Sequence, residues 1–196
     1  MSARDRLLDA ATDLVRRQGF GGTSVDALCA HAAVTKGAFF HHFASKEALG
    51  VAAAQHWTDH AAALFGAGAW HADPDPVARV LGYVDFRRDL IVGSPAEFTC
   101  LAGTMVQELH ETSPAIRDAC RASIYGHAAT LEADLAAAIA ARGVTGVTAE
   151  GLALHTQAVL QGGFILSKAS GDTVPALASI DHLRRYLVLL FGEGDQ

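Results

Sequence analysis

Residues 23–49 read TSVDALCAHAAVTKGAFFHHFASKEAL. Thr23 or Ser24, then Thr35, then Ser45 each stand where a helix N-cap is wanted, because a short hydroxyl or carboxamide side chain can accept an otherwise unpaired N–H of the first turn. Val25, Leu28 and Cys29 fall at i, i+3 and i+4, one face of a helix. Ala32-Ala33-Val34 is long enough only for a tight link. Thr35 then opens a short helix reaching about His41, and Ser45 opens a longer one, from Lys46 to about Phe65, with Glu47 in its first turn. A capped helix, a three-residue link and a second capped helix make a helix-turn-helix, whose second helix enters the major groove of DNA. The groups at the start of that helix suit the task. Thr35 offers a hydroxyl, Lys36 a charge, and Gly37 lets the backbone approach closely, while free N–H groups favour phosphate. Lys46 repeats this logic at the next helix start. Phe39 and Phe43, spaced i and i+4, are expected to pin the short helix to a core. His41 and His42 project about 100° apart, poorly placed to share a metal and better placed for surface or phosphate contact.

Outward from this stretch the chain keeps reading as helix. Val, Ile and Thr never gather into alternating runs, and Ala, Leu, Glu and Arg dominate. A first helix is expected over Ala3 to Gln18, with Leu7, Ala11, Leu14 and Val15 as its apolar stripe and Gly19 as its stop. After the breaker His71-Ala-Asp-Pro-Asp-Pro76, a helix should run from Val77 to Val92, and Gly93-Ser94-Pro95 should break it before a segment from Phe98 to Leu109. Ser113-Pro114 is expected to open one long helix, Ala115 to Arg142, with proline in the first turn. Two last helices should cover Ala149 to Ser170 and Ala178 to Phe191. The fold class is all-α: an N-terminal three-helix head with a helix-turn-helix, residues 1–50, and a larger helical-bundle body, residues 51–196.

Composition narrows the class. Of 196 residues, 51% are apolar and 18% charged, enough to fill a core and unlike a disordered chain. The longest apolar run, Ala61 to Trp70, is ten residues with two glycines, too short for a bilayer. The opening MSARDRLLDAATDL mixes both charge signs without an apolar core, so no signal peptide is expected. Cys29, Cys100 and Cys120 are odd in number and widely spaced, unlike a disulfide framework or zinc cluster. These features lead to the expectation of a reduced cytoplasmic protein with no membrane partner. Residues 1–50 hold six Lys/Arg against five Asp/Glu, and residues 51–196 hold nine against sixteen. An acidic body with a less acidic head suits a protein that offers only its head to a polyanion.

Over residues 4–50 the sequence resembles the DNA-binding head of the TetR family of repressors, and the run 23–49 follows that family's signature almost position by position. The resemblance implies an all-helical homodimer with a DNA-binding head on each subunit and a ligand-responsive C-terminal body. In that scheme the apo dimer represses by seating two recognition helices on a palindromic double-stranded operator, and a ligand in the body shifts the fourth helix and releases the DNA. Carried over residue by residue, the DNA contacts fall on Ser24, Thr35, Lys36, Gly37, Phe40, His41 and Lys46. Two positions depart from the family. Tyrosine is usual at position 40, and Phe40 lacks the hydroxyl that would reach a phosphate. Glycine is usual at position 33, and Ala33 is uncomfortable there if φ is positive. The segments FTCLAGTMVQELHETSPAIRDAC (98–120) and LQGGFILSKASGD (160–172) are similar to a subset of the family that answers small apolar or reactive compounds. The last two helices, bearing Leu152, Val159, Leu160, Leu183, Leu187 and Leu190, are where the family dimerises.

The body supplies candidate effector contacts. Leu49, Ala53, His56, His60 and Leu64 follow spacings of four, three, four and four, so His56 and His60 are expected on an inward stripe. Pocket lining, zinc binding by the i, i+4 pair, and ordinary core histidines are all open readings for them. Trp57, Phe86, Met105, His110, Tyr125, Gln161 and Phe164 are further lining candidates or plain core. Such a lining suits a mostly apolar compound held by a few hydrogen bonds. Arg87 and Arg88 are within reach of it, but no cation is assigned to it, so a strongly anionic effector is not expected. Cys100 lies at an expected helix start, where the macrodipole favours thiolate, so it is either an electrophile or redox sensor or a small buried hydrophobe. No paired nucleophile and base and no complete metal motif is seen, so no catalytic residue, metal or cofactor is assigned. An all-helical enzyme using His56, His60 or His110, and a helical adaptor binding only protein, are the alternatives from other classes.

Overall fold

The computed structural model describes residues 1–192, and every regular element among them is helical. Helix α1 (Ala3–Gln18) starts from a reciprocal Ser2/Asp5 capping box and stops at Gly19, whose φ of 80° suits glycine. Helices α2 (Val25–His31) and α3 (Lys36–His42) start at Ser24 and Thr35, as the cap chemistry predicts. Helix α4 (Lys46–Gly66) is followed by a 3-10 turn at Ala69–Ala72 and by α5 (Pro76–Asp89). The expected Phe98–Leu109 segment is two pieces, α6 (Pro95–Phe98) and α7 (Leu101–Leu109), because Cys100 begins a new helix as its N-cap.

The expected long helix is also two, α8 (Pro114–Ala129) and α9 (Glu132–Arg142). The Thr130 hydroxyl donates to the His127 carbonyl at 2.7 Å, and the Thr130 amide bonds the same oxygen. A threonine bonding back to the preceding turn competes with the helical ladder and bends it. Helix α10 (Ala149–Ser170) matches its expected span, whereas α11 (Val174–Phe191) begins four residues early, with Pro175 in its first turn.

The chain forms two compact units, residues 1–62 with 99–124, and residues 63–98 with 125–192 of the described chain. The expected body, 51–196, therefore contributes to both units, and its last four residues lie outside the described residues. In the first unit, Leu7, Leu8 and Val15 of α1, Leu28 of α2, Phe39 of α3, Leu49 of α4, Leu101 and Met105 of α7 and Ile116 of α8 share one core. Each such side chain contributes about 1.5–3 kcal/mol on leaving water. In the second unit, α10 lies along α11, and α5, with Val77, Val80, Tyr83 and Val84 buried, packs against α9 and α11. Ion pairs Arg79–Asp134, Arg142–Asp75, Arg88–Asp181 and Arg184–Asp85, all at 2.7–2.8 Å, lace its surface. Being partly exposed, each contributes about 0–1 kcal/mol.

Candidate DNA interface and ligand site

The α3 helix splits into two faces one residue apart. Phe39 is fully buried and Phe43 nearly so, their ring centroids 5.9 Å apart, so the inward pair expected from spacing is present. Phe40 stands edge-on to Phe39 and is 52% exposed. Thr35, Lys36, Gly37 and His41 are exposed with it. The Ser24 and Thr35 hydroxyl oxygens accept the amides of Ala27 and Ala38 at 3.0 and 3.1 Å. A hydroxyl that accepts still has its own proton to donate, so capping leaves both residues a hydrogen for phosphate. The Lys36 ammonium meets Asp26 on α2 at 2.9 Å in the open, and this bond holds its pKa above the ordinary lysine value. A Cβ added at Gly37 would meet nothing nearer than the Thr35 hydroxyl at 3.8 Å, so that backbone is open to approach.

The turn between α2 and α3 holds the strain that the sequence raises. Ala33 has a φ of 50°, the left-handed region that disfavours a side chain. Flanking bonds hold it there: the Ala33 amide to Ala30 O, the Val34 amide to Cys29 O, and the Arg6 guanidinium to Ala32 O at 3.1 Å.

Lys46 stands differently from expectation. Its ammonium donates to the Phe20 and Thr23 carbonyls, both at 2.9 Å, and rests 4.5 Å over the Phe20 ring. From the other direction the Glu108 carboxylate of α7 accepts the Phe20 and Gly21 amides at 3.0 and 2.8 Å. The loop joining α1 to α2 is thus gripped by one cation on its carbonyls and one anion on its amides. The Glu47 carboxylate accepts the Ser113 hydroxyl, a second tie inside this unit. Glu108 and Ser113 carry no sequence signal for this role, because their partners are backbone groups about ninety residues away or a lone glutamate.

The ligand candidates divide between the units. In the first, Met105 is fully buried, Trp57 lies under the Arg16 guanidinium at 5.2 Å, and the Cys100 sulfur accepts the Gly103 amide at 3.3 Å. The inward histidine stripe does not form. His56 is half-exposed and bonds Asp9 at 2.9 Å, while His60 and Leu64 are exposed. The stripe assumed one face throughout α4, but the acidic Asp9 of α1 draws His56 to the edge. His110 is exposed beside Glu111. In the second unit, Tyr125 is exposed, Gln161 half-buried, and Phe164 is buried with its ring 6.0 Å from Phe98.

Phe86 joins a ring cluster that the sequence did not indicate. Phe65 lies 5.6 Å from both Tyr83 and Phe86 and 4.7 Å from His127, and Trp70 lies 4.9 Å from Phe86. Tyr83 OH and His127 Nε2 are 2.9 Å apart. Burial, helped by the nearby Arg87 charge, pushes the His127 pKa from 6.5 down to about 4. Burial raises the Tyr83 pKa, so at neutral pH a phenol faces a neutral imidazole. The Arg87 guanidinium lies over the Phe65 and Phe164 rings at 5.0 and 5.8 Å.

Comparison with known proteins decides the lineage. The model "Bacterial regulatory proteins, tetR family" matches residues 7–53, and "Transcriptional regulator LmrA/YxaF-like, C-terminal domain" matches residues 76–182. The chain belongs to the TetR family. LmrA of Bacillus subtilis (strain 168), an HTH-type transcriptional regulator, is 25% identical over 89% of this chain and 91% of its own. The HTH-type transcriptional repressor DhaR of Mycobacterium sp. (strain GP1) is 29% identical over 58% of this chain, which spans 56% of DhaR's length. A TetR-family regulator from Agrobacterium tumefaciens superposes with a TM-score of 0.82 at 21% identity, over 94% of this chain and 97% of that one. A cysteine mutant of the TetR-family regulator CifR, solved with 26-base-pair operator DNA, superposes with a TM-score of 0.76 at 22% identity, over 93% and 95%.

TetR-family regulators bind DNA, and the family's head matches residues 7–53 of this chain. Its body matches more clearly than the two segments quoted from sequence suggest. Of the apolar residues noted on the last two helices, most are buried within the chain. Leu152, Leu160, Leu183 and Leu187 are buried inside the second unit, and Val159 and Leu190 are half-buried. The outward large apolar groups of α10 and α11 are Ile165, Leu166, Val174, Tyr186 and Leu189. No helix among the described residues is long and apolar enough to cross a membrane.

Proposed function

We propose that this chain is a cytoplasmic transcriptional repressor that holds a palindromic operator as a homodimer and lets go when a small, mostly apolar compound binds its body. The observation that carries this reading is the α3 surface. Thr35, Lys36, Gly37, Phe40 and His41 stand exposed together on a helix anchored from behind by the buried Phe39. Residues 1–50 serve DNA in this scheme and 51–196 serve ligand and dimer. Ser24, Thr35 and Lys36 reach phosphates, Gly37 admits the backbone, and Phe40 and His41 face the groove. Lys46 acts mainly by fixing the α1–α2 loop, with one N–H left over for phosphate. The DNA-bound structure of CifR supports the same use of this fold. The dimer forms through α10 and α11, with Ile165, Leu166, Tyr186 and Leu189 on the contact face. Ligand binding stabilises a DNA-incompetent state by a coupling of about 1–3 kcal/mol.

Footprinting on the DNA upstream of the protein's own coding sequence tests this. A symmetric protected site occupied by two chains, lost on adding a compound from a library of apolar molecules, is the expected result. Uniform weak protection, or one chain per site, would overturn it.

A second reading is favoured by one observation. The Cys100 thiol sits at the N-terminus of α7 against the Gly103 amide, while Cys120, pushed up to about 12 by burial and by Cys100, stays protonated. In that reading an electrophile modifies Cys100 and release is covalent. Cys100→Ser separates the two: it leaves reversible release intact and abolishes covalent release.

A further inference from the structure

The polar groups around the ring cluster of the second unit have hydrogen-bond donors to spare and little to accept them. Arg87 brings five N–H donors, yet its contacts among the described residues are the faces of Phe65 and Phe164, with no carboxylate paired to it. Four other arginines of this unit, Arg79, Arg88, Arg142 and Arg184, each hold an aspartate, and the exposed Arg185 meets the His182 ring nitrogen at 2.9 Å. Gln157 on α10 is 5% exposed and lies against the Tyr83 hydroxyl, with no well-formed hydrogen bond for its Nε2. His127 is held neutral by burial and shares a 2.9 Å hydrogen bond with the Tyr83 hydroxyl through Nε2, so its ring carries a single N–H. A buried donor without a good acceptor costs stability, and a guanidinium held against aromatic faces presents a fork that suits a planar carboxylate.

We propose that the second unit binds a planar aromatic monocarboxylate, its carboxylate on Arg87, its ring among Phe65, Phe86 and Phe164, and an oxygen accepting from Gln157. The proposal rests on the ligand-responsive reading above and sharpens it: the compound is mostly apolar, as the sequence leads one to expect, but carries one negative charge. No proton or bond is exchanged. The Arg87 charge is neutralised by the ligand, the two rings beside it exchange contact with the cation for contact with the ligand, and Gln157 Nε2 gains its acceptor.

Calorimetric titration of the full chain with 2-naphthoate, and with uncharged 2-naphthamide of nearly the same shape, tests the assignment. Naphthoate should bind at least about tenfold tighter, the usual weight of one charge-assisted contact. Arg87→Met should erase that preference by weakening naphthoate while leaving naphthamide within about twofold. Gln157→Leu should weaken naphthoate several-fold and keep the preference. Should Arg87→Met fail to fold, Arg87→Lys, which keeps the charge but not the fork, should lose part of the preference. Equal binding of the two compounds, no binding of either, or an Arg87 variant with the preference unchanged would overturn the proposal. Operator binding read in parallel separates this from the wider reading. If naphthoate binds as described and DNA stays bound, the site stands and its role in release falls. Conversely, release by another compound, unchanged in the Arg87 variants and without naphthoate binding, removes the site and leaves ligand-controlled repression in place.

Discussion

The DNA-facing head and the ring cluster of the second unit are built by opposite means. In the head, the working surface is made by neighbours in sequence. Ser24 caps α2, Thr35 caps α3, and Lys36 reaches Asp26 ten residues back. In the ring cluster, Phe65, Tyr83, Arg87, His127, Gln157 and Phe164 come from four separate helices. The head spends its polar groups on its own backbone and leaves a few outward; the cluster pairs Tyr83 with His127 and lays Arg87 on two ring faces. A surface that must meet any stretch of phosphates can be local and rigid. The ligand site proposed for the second unit would collect its chemistry from far along the chain.

The sharpest test of the head's local design is a pair of adjacent residues. Phe39→Ala should destabilise the protein by about 3–5 kcal/mol, the range for emptying a buried ring site. Phe40→Ala, one residue on and half out in solvent, should change stability by less than about 0.5 kcal/mol while weakening DNA binding. Urea denaturation monitored by circular dichroism reads the first effect and anisotropy on operator DNA the second. Similar stability losses in both would break the two-faced picture of α3.

The ring cluster predicts a pH effect of the next size. His127 is held near 4 in the folded protein against an ordinary 6.5, so the unfolded chain takes up the proton first as pH falls. Its contribution to stability is therefore complete above pH 6.5 and is lost between 6.5 and 4, by up to about 3 kcal/mol at the lower end. Thermal melts of the parent and of His127→Gln should diverge in pH slope across that window, the parent being the steeper. Parallel slopes would mean that the imidazole is not held neutral by its surroundings.

The smallest effect belongs to the turn. Ala33→Gly relieves a left-handed φ at the cost of a more flexible unfolded chain, a net gain of about 0.5–1 kcal/mol. That corresponds to a rise in Tm of roughly 1–4 °C for a chain of this size. A lower Tm would show that the turn is held by its flanking hydrogen bonds without strain at Ala33.

How much was legible follows from the same contrast. Caps, the tight link and the i, i+4 phenylalanines are short-range signals, so α1 to α4 and the exposed row on α3 could be read directly. The turn strain at Ala33 was readable too, once glycine was expected there. Lys46 misled because its place at a helix start suggests phosphate, whereas its ammonium is taken by the carbonyls of Phe20 and Thr23. His56 and His60 misled because periodicity shows which residues share a face but not whether a neighbouring acid such as Asp9 waits at its edge. The break at Thr130 hides in a run of good helix formers, and the Tyr83–His127–Gln157 corner shows no spacing pattern.

The most direct measurement is the salt dependence of operator binding, by anisotropy of a labelled duplex from the upstream region, for the parent and for Lys36→Ala between about 50 and 200 mM salt. Log affinity of the parent should fall linearly with log salt, and the variant's slope should be shallower by about 0.9 for each Lys36 engaged, with its melting curve unchanged. Two identical slopes, or parent binding indifferent to salt, would contradict the placement of α3 on DNA.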